Sequence, residues 1–104
     1  MTGRWAVVRR DHTYYVYIVA SWTRAIYTGV TNNLEARLYQ HRAAGPDTFA
    51  GKYRTHRLVY VEEYRWIDDA IAREKQLKGW RRDRKIALIE ALNPEWKDLS
   101  EEWA

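Results

Sequence analysis

Tyr14 to Ala20 is an unbroken run of aromatic, β-branched and small apolar residues. Ala25 to Val30 is a second such run, reached through the polar stretch Ser21-Trp22-Thr23-Arg24. Two strands joined by a short turn account for that pattern. In the first strand Tyr15, Tyr17 and Val19 share one face, and Tyr14, Val16 and Ile18 the other. Tyr17 and Tyr27 project from the same side only if the loop holds an odd number of residues or a bulge, because a one-residue slip flips every side chain. Gly29 marks a place where the strand turns sharply or another backbone comes close. Asn32 and Glu35 then stand at capping-box spacing, and Leu34 and Leu38 form an i, i+4 apolar pair, so a helix is predicted from here to Ala43-Ala44-Gly45-Pro46. Arg37 and His41 lie one turn apart on it, beside the apolar stripe.

Gly45 to His56 is the longest irregular stretch, with Phe49, Lys52 and Tyr53 as anchors. Leu58 to Tyr64 reads as a third strand. The next helix is predicted over Ile67 to Lys78, with Asp68 and Asp69 in its first turn and Gly79 closing it. Arg82 to Leu92 is the last, with Ile86, Ile89 and Leu92 facing inward, and Asn93-Pro94 stops it. Trp96 and Leu99 are apolar anchors in a polar tail that should fold back. These elements predict an α/β (α+β) fold, a small three-stranded, mainly antiparallel sheet flanked by three helices. Residues 1–12 read as a loosely packed arm, 13–99 as the folded domain and 100–104 as a tail.

One position breaks the pattern. Ile67, Ala70, Ile71 and Leu77 define one apolar arc of their helix, and Glu74 falls in the middle of it. An ionised carboxylate on a core-facing stripe is costly unless it is paired, metal-bound or at a cleft. A structural pairing with an arginine, Arg37 being the obvious candidate, is the plain alternative to a functional role.

A chain of 104 residues with 46% hydrophobic and 31% charged residues is expected to form one soluble domain. The absence of cysteine excludes disulfides, thiol catalysis and cysteine-ligated metals. No apolar run is long enough to span a membrane, and Met1 to His12 lacks the apolar segment of a secretory signal, so a cytoplasmic protein is expected. The net charge of +4 says little, but its distribution says more. Arg73, Lys75, Lys78, Arg81, Arg82, Arg84 and Lys85 form one basic stripe, and Arg54, His56 and Arg57 a second cluster, the footprint of a polyanion binder. Solvated helix faces give the same pattern. Six tryptophans also admit a protein-interaction surface.

Tyr15-Val16-Tyr17, Tyr27-Thr28-Gly29, Arg37 ten positions after Tyr27, and Glu74 on the helix after the third strand together resemble the GIY-YIG nuclease superfamily. The likeness runs from about Tyr14 to Leu99 and is to its small bacterial stand-alone members. It implies a metal-dependent endonuclease that hydrolyses phosphodiester bonds in DNA, prefers structure to sequence and serves DNA repair, with RNA left open as a substrate and a monomer assumed. By resemblance, Glu74 would bind one Mg2+ or Mn2+, Tyr27 would act as base or water-positioning group with Tyr17 as its hydrogen-bond partner, and Arg37 would hold the scissile phosphate. His41 would orient the water or move a proton, and Asn93 matches an Asn that follows the catalytic Glu in larger relatives. Arg37, Lys52, Arg73, Lys78, Arg81 and Arg82 would contact nucleic acid. Excision-repair members carry a Lys directly after the second triplet, where this chain has Val30. The competing reading is a catalytically silent nucleic-acid-binding module of the same fold.

Overall fold

The computed structural model describes residues 13–43 and 57–102. The expected arm over 1–12, Lys52 and the loop anchors around it lie outside the described residues. β1 spans Tyr14–Ala20, β2 Ile26–Thr31 and β3 Arg57–Tyr64, and the helices are α1 (Leu34–Ala43), α2 (Ile67–Gly79) and α3 (Arg82–Leu92). A short 3-10 turn follows at Leu99–Glu102. The strands form one antiparallel sheet in the order β2-β1-β3, as the fold class predicts.

β1 is the central strand, and Val16 to Ala20 are completely buried. Both faces of the sheet are covered, which is why this strand reads as a continuous apolar run rather than an alternating one. On one face Tyr17 and Val19 pack with Leu34 and Leu38 of α1, with Leu58, and with Leu99 of the tail. On the other, Val16 packs with Ala70 and Leu77 of α2, while Ile18 and Ala20 pack with Ile89 of α3 and Trp96. A β-bulge between Ile18 and Val19 shifts the pairing of β1 with β3.

The tail wraps the open edge of β3. Asn93 donates its amide to the carbonyls of Val59 at 3.1 Å and Lys97 at 2.9 Å, and accepts the Lys97 N–H at 3.0 Å. Asp98 accepts the Leu58 N–H at 3.2 Å, and Arg42 of α1 donates to its other oxygen at 3.1 Å. An exposed strand edge is thereby satisfied by side chains, and α1 is tied to the sheet.

Four local expectations change. The cap of α1 is Asn33, not Asn32: Asn33 Oδ1 accepts the Ala36 N–H at 3.1 Å, and Thr31 Oγ1 accepts the Asn33 N–H at 3.0 Å. Gly79 is the last residue of α2, and no described glycine has positive φ, so the helix ends without a left-handed glycine cap. Ile67 and Leu92 are 40% and 78% exposed. Both stand at helix ends, where the sheet no longer reaches across to cover them.

Candidate active site

The hairpin brings the two triplets into register. Tyr17 stands opposite Gly29 and Tyr27 opposite Val19, and the intervening loop of residues 21–25 has the odd length that puts both tyrosines on one face. Gly29 is required for space rather than for backbone freedom. A Cβ there would lie 2.4 Å from the Tyr17 hydroxyl oxygen and 2.6 Å from the ring carbon bearing it. The glycine lets the Tyr17 ring lie flat across β2.

Above that ring, α1 contributes His41. Leu34, Leu38 and His41 are its buried residues, so His41 continues the apolar stripe rather than bordering it. The Tyr17 hydroxyl is 3.2 Å from His41 Nε2. The His41 ring meets Tyr17 edge-on at 5.8 Å between centroids and Tyr27 at 5.2 Å, and the two tyrosine rings are 6.5 Å apart. Tyr17 is fully buried and Tyr27 half-buried, so Tyr27 is the phenol nearer solvent. Burial pushes the Tyr17 pKa up to about 12. Arg37, one turn before His41, pulls it back by charge and hydrogen bonding, while Tyr27 and Glu74 oppose that pull. Tyr17 is therefore a neutral phenol at physiological pH.

α2 completes the group from the β2 edge. The Glu74 side chain is only 13% exposed and its carboxylate receives Lys78 Nζ at 2.6 Å, one turn on. Lys78 in turn stands 5.6 Å from the centre of the Tyr27 ring. The expected partner of Glu74, Arg37, is not the one it takes; the i, i+4 geometry gives Lys78 the shorter reach. Lys78 holds its proton more tightly than usual, first because of the hydrogen bond to Glu74. A cation thus sits beside Tyr27 although Val30, after the second triplet, packs against α2 with Val16 and Leu77.

The structure thus gathers Tyr17, Tyr27, Arg37, His41 and Glu74 around one corner of the sheet, with Lys78 among them. Asn93 is taken up instead by the backbone of β3 and the tail. Arg73 is committed elsewhere: it donates to Glu62 at 2.9 to 3.2 Å and lies 5.2 Å over the Trp80 ring. Arg81 and Arg82 are exposed at the start of α3. Sequence reasoning missed the Glu62 cluster, in which Tyr60, Tyr64 and Arg73 all donate to one carboxylate. Burial alone would raise the Glu62 pKa, but these hydrogen bonds outweigh it and hold it below the usual carboxylate range. Period-two alternation of Tyr60, Glu62 and Tyr64 was the available signal.

A single hard carboxylate, with no trio of His, Asp or Glu among the described residues, fits a magnesium ion that keeps most of its water shell and takes further oxygens from substrate. It does not fit a metal that needs a closed protein cage.

Comparison with known proteins shows the family and the fold. The GIY-YIG catalytic domain model matches residues 13–87, and the chain belongs to the GIY-YIG family, a nuclease-type fold. Its relatives include the UPF0213 protein SH2523 of Staphylococcus haemolyticus, 36% identical over 77 residues that cover 74% of this chain and 94% of that one. The UPF0213 protein OB0043 of Oceanobacillus iheyensis is 32% identical over 80 residues, covering 77% and 93%. The solution NMR structure of the UPF0213 protein BH0048 from Bacillus halodurans shares the fold, with a TM-score of 0.54 at 23% identity over 86% of this chain and 95% of that one. Among the described residues no helix is long and apolar enough to cross a membrane.

Proposed function

We propose that this protein is a metal-dependent endonuclease that hydrolyses phosphodiester bonds in DNA. The observation that carries the reading is the convergence of two phenols, an imidazole, a guanidinium and a largely buried carboxylate on one corner of the sheet. Such a set can hold a phosphate, orient water and move a proton.

In this reading Tyr27, the phenol nearer solvent, positions the attacking water and takes its proton while passing its own phenolic proton to solvent. Tyr17 stays protonated and, with His41, fixes the Tyr27 ring from behind. It is a positioning residue rather than a base. Arg37 holds the scissile phosphate with a planar donor fork and offsets charge in the transition state. Lys78 supplies a second cation near the phosphate, the part a Lys at position 30 would otherwise play. Glu74 would hold the divalent ion, which when bound polarises the phosphoryl oxygen and relieves charge on the leaving oxygen. Because that site has one protein carboxylate, ion and nucleic acid bind together.

The test is cleavage of an end-labelled panel of single-stranded, duplex, flapped and branched DNA, plus RNA, with magnesium or manganese. Metal-dependent cleavage by the intact protein and none by Glu74→Ala is expected. The second reading, a non-cleaving binding module, is favoured by one observation: the Glu74 carboxylate is already satisfied by Lys78. Salt-sensitive binding with every substrate left intact would select it.

A further inference from the structure

The loop that joins β1 to β2 is more ordered than a linker between two strands requires. The Ser21 N–H donates to the Ala25 carbonyl at 2.9 Å, the Arg24 N–H to the Ser21 carbonyl at 3.0 Å, and the Ala25 N–H to Ser21 Oγ at 3.0 Å. Arg24 is held at a φ of 68°, a region that residues other than glycine seldom adopt. From this loop Trp22 stands out 82% exposed, an orientation that costs apolar hydration and that packing does not explain.

The indole is nonetheless fixed. The Arg57 guanidinium lies 4.3 Å from its ring centre. Arg57 is buried and donates to the carbonyls of Trp96 at 2.7 Å and Ser21 at 2.5 Å. One face of the ring rests on an anchored cation, and exposure this high leaves the opposite face open. Two further guanidiniums stand at the same loop: half-exposed Arg24, which lies 4.6 Å from the Trp96 ring centre and 3.7 Å from Glu90, and exposed Arg82, which donates to the Arg24 carbonyl at 2.5 Å. Trp66 makes the contrast, since it is 61% exposed but only 5.7 Å from Arg65, which is itself exposed.

We infer that Trp22 is a stacking platform for an unpaired base of the nucleic-acid substrate, with Arg82 on a flanking phosphate. This rests on the nuclease reading for its place near a reacting strand, though not for its chemistry. A fixed aromatic face backed by a cation accepts any base, and it accepts only a base that is out of its helix. A purely apolar partner would have to desolvate the surrounding guanidiniums, whereas a nucleic acid neutralises them. Tyr27 pairs with Val19, three residues before Trp22, so the two rungs are at most about 11 Å apart along the strand. That is within a few nucleotides of the proposed reacting bond, and it selects substrates with a single-stranded segment at that spacing.

The experiment is anisotropy of a labelled oligothymidine single strand and of a duplex of equal length, titrated in chelator with the intact protein, Trp22→Ala, Trp22→Phe and Trp66→Ala, each checked by circular dichroism. Trp22→Ala should weaken single-strand binding about tenfold, the loss of one stacked base. Trp22→Phe should keep most of the affinity, and duplex binding and Trp66→Ala should be nearly unchanged. Equal losses on both nucleic acids, or no loss on the single strand, would overturn the platform. Because chelator removes cleavage from the readout, the two ideas fail separately. Cleavage by the intact protein with unaltered Trp22→Ala binding sinks the platform alone. Absent cleavage with the tenfold loss sinks the nuclease alone.

Discussion

Gly29 and Tyr17 can be read as one unit, because the space left by the missing Cβ is filled by the phenol opposite. In Gly29→Ala the new methyl would overlap the Tyr17 hydroxyl, and a ring buried on all sides cannot move without losing its 3.2 Å contact with His41. Overpacking of this kind costs about 1–3 kcal/mol. The displaced ring should cost about 100-fold in cleavage rate, since a shift of about 1 Å in a positioned group has that effect. Circular dichroism melting beside a rate assay separates the two. Tyr17 also carries a pH signature. Its folded pKa is raised to about 12 by burial, as are those of Tyr60 and Tyr64, by burial and then by Glu62. A phenol whose folded pKa is raised keeps its proton longer in the folded state. Its stabilisation is fully present below the unfolded value of about 10 and is lost as pH rises through the folded one. Urea midpoints should therefore fall between pH about 10 and 12, and by less in Tyr17→Phe; an unchanged slope in that variant would remove Tyr17 from the account.

At the scale of elements, α2 and the tail hold the site in place through polar contacts rather than apolar area alone. Arg73 bridges α2 to β3 through Glu62, both side chains being about one-fifth exposed. Arg73→Met should destabilise by on the order of 2 kcal/mol, the worth of hydrogen bonds to a charged group, while leaving the affinity of the folded protein for DNA unchanged. Reduced affinity at full stability would return Arg73 to the nucleic-acid surface. The acid side follows from the same cluster. Glu62 titrates below its ordinary value, so its contribution is present above the unfolded carboxylate pKa and is lost as pH falls through the folded one. Asn93→Ala should likewise cost about 2 kcal/mol and spare cleavage. The strands and the Leu34–Leu38 face of α1 were legible because hydrophobic period and apolar spacing point one way, whereas that pattern alone gives neither the parity of the loop nor the place of His41 within the stripe. Asn93, Arg73 and Lys78 were not legible, because a polar residue's partner depends on which elements meet in space. Asn93 looks the same in sequence whether it faces a phosphate or, as here, the edge of β3. The capping of α1 by Asn33 was hidden for a similar reason, since only Asn32 has a Glu three residues on, whereas Asn33 caps through its own bond to the Ala36 N–H.

For the whole molecule the deciding quantity is how a modest net charge of +4 is distributed around Glu74. Lys78 neutralises that carboxylate at 2.6 Å, so in the metal-free protein neither group is fully available, one to an ion and the other to a phosphate. In the proposed nuclease, Glu74 would exchange the ammonium for the divalent ion, and Lys78 would turn to the phosphate. Glu74→Ala should then lose cleavage and yet, in chelator, bind DNA more tightly, by up to about fivefold at low salt, because the variant gains one net positive charge and frees Lys78 for phosphate. Lys78→Met should behave conversely. In a Tyr27→Phe background, chosen to keep the DNA intact, its effect on affinity should be small in chelator and several-fold with magnesium, where the slope of log affinity against log salt should fall by about one phosphate contact. Equal effects of Lys78→Met in the two conditions would mean that the lysine never leaves Glu74, and that the phosphate's second cation comes from another residue.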